Sequence, residues 1–537
     1  MTADYILKSD AVFDAVSDLP FKGFVAVSGN RIVEVGRGDL VERWKGPKTE
    51  VIDYGECLIM PGFCESHAHN YLGVLELSSV NVGRARSEEE AAKMVYEYNR
   101  EVAGPGNWIF GFGWNQHSWG SKDMPGRKSL DRYFPETPVL IFDFELHSAW
   151  VNSKALKLCS INADTPEPDG GKITRDENNQ PTGHLLEPAA MKLVLEHAFK
   201  GGLADEKEAF LDYFRHTASL GITSISDIQI YDILNHEIYL DLERENRLNC
   251  RIHLVASAKD DLGALGKLRE QCCSEKVQFS GVKDFIDGTA MAYTGLLIEP
   301  YCDVPGYRGH PLLDVDRLRE KAIELDRNDY RIRLHACGDG AVRLALDIFE
   351  EVRQKNGPRD SRHTIEHIEN IHPDDLPRFK ENGVIASVQP EHLGEESHEI
   401  HPFHKILGQE RINLIWPFKS LLNHGAKLAF GSDHPVVGLN PVEGIYRAVT
   451  RLMDDRTPAG GWLPQEKLTL AEALKAYTID SAYQMFREKD FGSLEPGKLA
   501  DITVLDRNIF EADPEELVET RPVMTMLEGK DVTTNGK

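Results

Sequence analysis

Two histidines one residue apart follow an apolar run and a Pro-Gly break in Leu58-Ile59-Met60-Pro61-Gly62-Phe63-Cys64-Glu65-Ser66-His67-Ala68-His69. On a β-strand, residues i and i+2 point to the same face, so His67 and His69 project together and can hold one metal ion through their imidazole nitrogens. Other ionisable residues recur where apolar runs end. Lys283 interrupts Val282-Lys283-Asp284-Phe285, His335 ends Ile332-Arg333-Leu334-His335, His367 ends Thr364-Ile365-Glu366-His367, and Asp433 follows Ala429-Phe430-Gly431-Ser432. Inside a buried strand such a group is costly and needs a partner or a function. Four imidazoles and one carboxylate suit zinc, with manganese, iron and nickel as alternatives. Lys283 fits such a set if carbon dioxide carboxylates its amine to an anionic carbamate able to bridge two metals. Otherwise it turns away to pair with Asp284, Asp287 or Glu299.

These residues need a scaffold that brings strand ends together. Apolar β-runs at 139–142, 222–226, 251–255, 281–286, 332–335, 364–367, 385–388 and 428–431 alternate with amphipathic helical stretches, among them 316–327, 340–356 and 469–486. Such alternation over several hundred residues predicts an α/β fold, a (β/α)8 TIM barrel, whose C-terminal strand ends converge on one bowl. Surplus strands, the Trp/Gly-rich stretch 107–120 and the turn-rich stretch 162–183 predict an insertion after the first barrel strand, at about 80–215. Short β-runs at both ends, with a hairpin turn at Ser28-Gly29-Asn30-Arg31, predict that residues 1–59 and 490–537 pair into one small sheet domain flanking a barrel at 60–489.

The 537 residues include 87 acidic and 61 basic side chains, a formal charge of -26. That field repels phosphate backbones and excludes nucleic acid as the expected partner. The opening Met1-Thr2-Ala3-Asp4-Tyr5 has no signal-peptide pattern, and no apolar run reaches the ~18 residues that span a bilayer, so no membrane association and a cytoplasmic location are expected. Eight cysteines without a Cys-x-x-Cys pair read as reduced thiols.

Eight motifs in order resemble the amidohydrolase superfamily, and within it the amidohydrolase-3 group of YtcJ-like proteins and N-substituted formamide deformylases. They are Met60-Pro61-Gly62-Phe63 before the His-x-His, 147–153, Gly183-His184-Leu185-Leu186-Glu187, 282–288, His335-Ala336-Cys337-Gly338-Asp339-Gly340-Ala341, 362–367, Gly431-Ser432-Asp433-His434-Pro435 and 494–501. The resemblance implies a barrel with a small composite β-sandwich built from both termini. It places His67, His69 and Asp433 at one metal position and His335 and His367 at a second, with Lys283 as the bridge. It also implies a hydrolase cleaving a C–N bond of an amide, formamide or related small molecule through a metal-activated hydroxide, with Asp433 as general base and acid. The cofactor implied is a divalent metal, zinc foremost, one or two ions per chain. A deaminase of a heterocycle on the same fold, or a non-catalytic binding protein, are the competing readings; Lys283 favours the first of the three.

Around this core, His147 is a second catalytic candidate, able to reach a substrate carbonyl or the nucleophilic water. Trp114 and His117, in a Gly- and aromatic-rich loop, together with Gln389, His392 and His434, are candidate substrate contacts. Packing between insertion and barrel is the other reading of the Trp114 loop. His434 stands where the family often has an aromatic residue. His398, His401 and His404 read as a loop or helix surface rather than a metal tract. The partner expected is a small-molecule substrate, with a homodimer allowed.

Overall fold

The computed structural model describes residues 2–533 except 101–107, 117, 121–123, 169, 201–205, 230–235, 395–396, 398 and 400. The chain divides into two units: Met1–Ala68, Leu211–Ile228 and His236–Lys537 form one, and His69–Phe210 with Gln229–Asn235 the other.

The first unit holds an eight-stranded parallel sheet whose strands pair in chain order. They are Phe63–Ala68, Ile222–Ile228, Arg251–Ser257, Val277–Phe285, Ile332–Ala336, Thr364–His367, Ile385–Val388 and Lys427–Phe430. The first two strands are buried at every residue, as parallel strands covered on both faces must be. First and last strands meet through an isolated bridge between Ala68 and His434 and the Asp433 N–H donated to the His67 carbonyl at 2.7 Å. Glu65 reinforces that seam, accepting the N–H groups of His67 and Ser432, each at 2.9 Å. A Cβ on Gly431 would lie 2.5 Å from Glu65 Oε1 and 2.6 Å from His67 N, so glycine is what lets the last strand approach this closely. Burial pushes the Glu65 carboxyl up to about 8, against the pull of its N–H donors.

The helix expected at 469–486 is two helices, Leu470–Ala476 and Ile479–Gln484. The Tyr477 carbonyl accepts the Cys64 N–H of the first strand at 2.7 Å instead of continuing the helical ladder, and Thr478 leaves helical geometry at φ -130°, ψ -95°. Tertiary pairing has overridden local periodicity.

Both chain ends contribute to one eight-stranded sheet. It runs Lys530–Asp531, Pro522–Leu527, Ile502–Leu505, Leu58–Pro61, Tyr5–Val12, Phe21–Ser28, Arg31–Gly36, with Glu50–Asp53 alongside Tyr5–Val12. Leu7, Val25 and Ile59 share its hydrophobic core with Ile502, Val504 and Met524. Arg251, at the start of the third barrel strand, ties this sheet to the barrel through Asp501 at 2.8 Å and Glu528 at 3.1 Å. A guanidinium this buried needs the charge-assisted contacts it has.

The second unit carries a six-stranded sheet in the order Lys172–Arg175, Pro181–Leu186, Ser148–Val151, Val139–Asp143, Ile109–Trp114, Val80–Asn81. The β-run at 139–142 therefore belongs here and not to the barrel. Fully buried Asn152 uses all of its hydrogen-bonding capacity: it accepts from the N–H of Val139 at 3.1 Å and Ala155 at 3.0 Å, and donates to the carbonyls of Phe134 and Thr137 at 2.8 Å each. Among the described residues no helix is long and apolar enough to cross a membrane. All eight cysteines are free thiols.

Candidate functional site

The barrel's C-terminal strand ends bring His67, His367 and Asp433 together, with their donor atoms within 4.8 Å of one another. His67 is held first. Its Nδ1 lies 2.8 Å from Glu366 Oε2, and the other Glu366 oxygen accepts from Arg333 Nε at 2.5 Å. Arg333 also donates to the Ser66 carbonyl at 2.7 Å, so three strands are clamped at one level. Burial alone would raise the Glu366 pKa, but Arg333 and then His67 outweigh it and hold the carboxyl well below the usual carboxylate range. The ionised Glu366 therefore takes the Nδ1–H of His67 and turns Nε2 toward Asp433 Oδ1, 3.1 Å away.

Asp433 sits at φ +65° and His367 at φ +74°, left-handed conformations uncommon for non-glycine residues and tolerated where the surrounding structure enforces them. His367 Nδ1 is 3.8 Å from Asp433 Oδ2, and its ring centroid lies 5.0 Å from that of His67 and 4.3 Å from that of His335. Burial, followed by the neighbouring His335, drives the His367 pKa well below its ordinary value, leaving a neutral imidazole with a lone pair to offer. His67 Nε2 and the Asp433 carboxylate face each other at 3.1 Å, as two ligands of one cation would. The donor set fits a divalent metal.

His335 Nε2 lies 3.2 Å from Cys337 Sγ and 3.4 Å from the Gly288 carbonyl. Asp287, His335 and Cys337 form a second group with donor atoms within 4.8 Å. Asp287 already accepts three backbone N–H groups, from Cys337 and Gly338 at 3.0 Å and from Leu296 at 2.8 Å, so it fastens the loop after the fifth strand. Lys283 is buried on the fourth strand, its Nζ 5.2 Å from the Phe285 ring centre. Pairing with Asp284, Asp287 or Glu299 is not formed among the described residues. Burial brings its amine down to about 8, against the opposing pull of Glu366.

His69 is buried one residue beyond the first strand. It opens the second unit, and its carbonyl accepts the Gly73 N–H of the helix Asn70–Leu77 at 2.9 Å. Gln389 Nε2 is 3.5 Å from His67 Nδ1, and His392 Nε2 is 3.7 Å from Asp433 Oδ2, its ring parallel to that of His367 at 6.1 Å. Gln389 Oε1 and His392 Nε2 are buried with no hydrogen bond among the described residues. Burial lowers the His392 pKa. His434 stacks on Tyr213 at 6.0 Å, and its Nδ1 is 3.2 Å from the Val437 carbonyl.

In the second unit, His147 Nδ1 is 2.8 Å from Glu187 Oε2. Burial would lower the His147 pKa, but Glu187 pushes it up to about 10 and keeps the ring an imidazolium. Trp114 corrects the pocket-wall reading: it is 1% exposed, donates its indole N–H to the Ile141 carbonyl at 3.1 Å and packs with Val82, Val95 and Trp150 in the unit's core. His117 and His398 lie outside the described residues. His401 is buried rather than on a loop surface, its ring 4.9 Å from Trp462 and 5.5 Å from Trp416.

Sequence reasoning missed Glu65, Arg333 and Glu366 as parts of the site. A signal was present for the first two: each lies two residues before a strand-end histidine, on the same strand face by the periodicity that singled out His67.

Residues 50–533 match the amidohydrolase family. LONG AFTER FAR-RED 3 of Arabidopsis thaliana is 32% identical over 523 residues, covering 95% of this chain and 88% of that protein. The N-substituted formamide deformylase of Arthrobacter pascens is 27% identical over 521 residues, 94% of each chain. Among solved structures, a metal-dependent hydrolase of Pyrococcus horikoshii OT3 superposes with a TM-score of 0.75 at 26% identity, covering 95% of this chain and 99% of its own. With a family match across most of its length and the barrel to go with it, the chain belongs to the amidohydrolase family and is a metal-dependent hydrolase of that superfamily.

Proposed function

We propose that this hydrolase cleaves a C–N bond in an amide, formamide or related small molecule, with Asp433 moving the proton. The observation that carries this reading is the buried Asp433 carboxylate 3.1 Å from His67 Nε2 and 3.8 Å from His367 Nδ1, at the rim where barrel enzymes place their chemistry. His67, His69 and Asp433 would hold one divalent metal, zinc in this reading, and His335 and His367 a second, with Lys283 between them. When bound, the metal supplies Lewis acidity, polarising the scissile carbonyl and making water acidic enough to attack near neutral pH.

The chain's own residues do the rest. Glu366 fixes the His67 ring, so the site needs no reorganisation before turnover. Asp433 accepts a proton from the attacking water and delivers it to the leaving nitrogen, which would otherwise depart as an unstable anion. Lys283, brought down to about 8 by burial, is partly free amine near neutral pH, the form that carbon dioxide carboxylates. Similarity to a deformylase of N-substituted formamides over nearly the whole chain supports an acyl or formyl amide over a heterocycle.

The test is a panel of N-formyl, N-acyl, carbamate and cyclic amide compounds against zinc-loaded protein, with metal content measured in parallel. The reading expects amine release from at least one class and one to two tightly held metals per chain. Release of ammonia from heterocycles alone, or less than one metal, would sink it. A carbamate on Lys283 is read separately, by the carbonyl resonance of protein equilibrated with carbon-13 bicarbonate.

A further inference from the structure

The inner face of the barrel is unusually polar below the metal-binding rim. Residues paired across parallel strands share a face, and Ser226 pairs with His253 while Arg333 pairs with Lys283. Eight atoms of five residues near the N-terminal half of the barrel and the helix beneath it are buried without a hydrogen bond among the described residues. They are Ser226 Oγ, both ring nitrogens of His253, Nε and Nη1 of Arg331, Nη1 of Arg333 and both amide atoms of Gln484. Native interiors leave few such atoms, and a cluster of them marks a place where something else is bound.

Charge says what kind of ligand. Burial and then the charges of Arg487, Arg251 and Arg331 all lower the His253 pKa. Arg251 is answered by Asp501 at 2.8 Å and Arg487 by Asp490 at 2.6 Å. Arg331 differs. It is 4% exposed, donates Nη2 to Ser280 Oγ at 2.7 Å, lies 5.5 Å from the Phe486 ring centre, and has no carboxylate in ion-pair range among the described residues. A guanidinium keeps its proton in proteins, so this charge cannot be relieved by titration. Neither a serine hydroxyl nor an aromatic face neutralises it, and water would satisfy its donors while leaving the charge unanswered. Gly281 lets the chain at Arg331 pack close: a Cβ there would stand 2.8 Å from the Arg331 carbonyl oxygen and 3.2 Å from its Nε.

We propose that the barrel floor binds a small monovalent anion of the halide class, held by Nε and Nη1 of Arg331 with His253 as a further N–H donor. The site is separate from the metal-binding rim and serves stability rather than turnover. Its proof is independent of the substrate.

Crystals of the full-length protein grown in bromide test it directly, by anomalous scattering at the bromine edge. The expected result is a peak in contact with Arg331 Nε and Nη1. In solution, replacing sodium gluconate by sodium chloride at equal ionic strength should raise the melting temperature by about 2 °C, and Arg331→Met should abolish that chloride-specific rise. Arg362→Gln, which alters a nearby arginine already paired with Asp360 and Glu488, should keep it. If Arg331→Met fails to fold, the bromide map of the unaltered protein decides alone. Absence of a bromide peak at Arg331, or equal melting temperatures in chloride and gluconate for the unaltered protein, would leave only water at the floor and overturn the proposal.

Discussion

His67 and His147 each place Nδ1 2.8 Å from a glutamate Oε2, that of Glu366 in the barrel and that of Glu187 in the inserted unit. Around Glu366 the charge is shared, because Arg333 also donates to it, and the opposite edge of His67 faces Asp433. Around Glu187 it is not: its second oxygen is buried without a hydrogen bond among the described residues, and its carboxylate is strong enough to hold His147 at about 10. The same two-atom contact thus aims a ring at Asp433 in one place and holds a charged ring in the other. What decides is which other groups answer the carboxylate.

The sharpest way to break this comparison is at Asp433, which exists on the His67 side only. Asp433→Asn should lower kcat by about 10²–10⁴-fold while leaving most of the metal bound, read by steady-state kinetics beside metal analysis of the same sample. Loss of metal in proportion to loss of activity would make Asp433 a ligand without a proton-transfer role. Next in size, Glu366→Gln should weaken metal affinity by about 10–100-fold in competition with a chelator, whereas Glu187→Gln should leave affinity unchanged. Equal losses in the two variants would erase the distinction drawn here.

The smallest effect concerns pH. His147 has a folded pKa of about 10 against an ordinary 6.5, so the native state binds the extra proton between those values. Its stabilising contribution is complete below about 6.5 and is lost as pH rises through 10. Melting temperature should therefore fall across that window by a few degrees, and Glu187→Gln should flatten the slope. A profile that the substitution leaves unaltered would show that the pair contributes nothing to folding.

The barrel was legible because its strands are short apolar runs separated by amphipathic helices, and because ionisable residues at strand ends stand out against such runs. His67, His335, His367, Lys283 and Asp433 were all visible on that ground. Trp114 was legible only as a choice between pocket wall and packing, because an aromatic in a Gly-rich loop carries the same local signal either way; the packing around Trp150 decides it. The single helix expected at 469–486 failed at Tyr477, whose carbonyl is taken by Cys64, more than four hundred residues earlier in the chain.

The amino-acid sequence by itself determined the alternation of strands and helices and the chemistry of each strand end, which rest on local patterns of residue type, while the class, a metal-dependent hydrolase, came from ordered motifs that resemble the amidohydrolase superfamily. Tertiary structure decided how that chemistry is poised. Glu366 lies 299 residues from the His67 it orients and Glu65 367 residues from the Ser432 N–H it accepts, contacts created by strand register and barrel closure. Local periodicity sets which face a side chain takes, but only the closed sheet sets which side chains meet there.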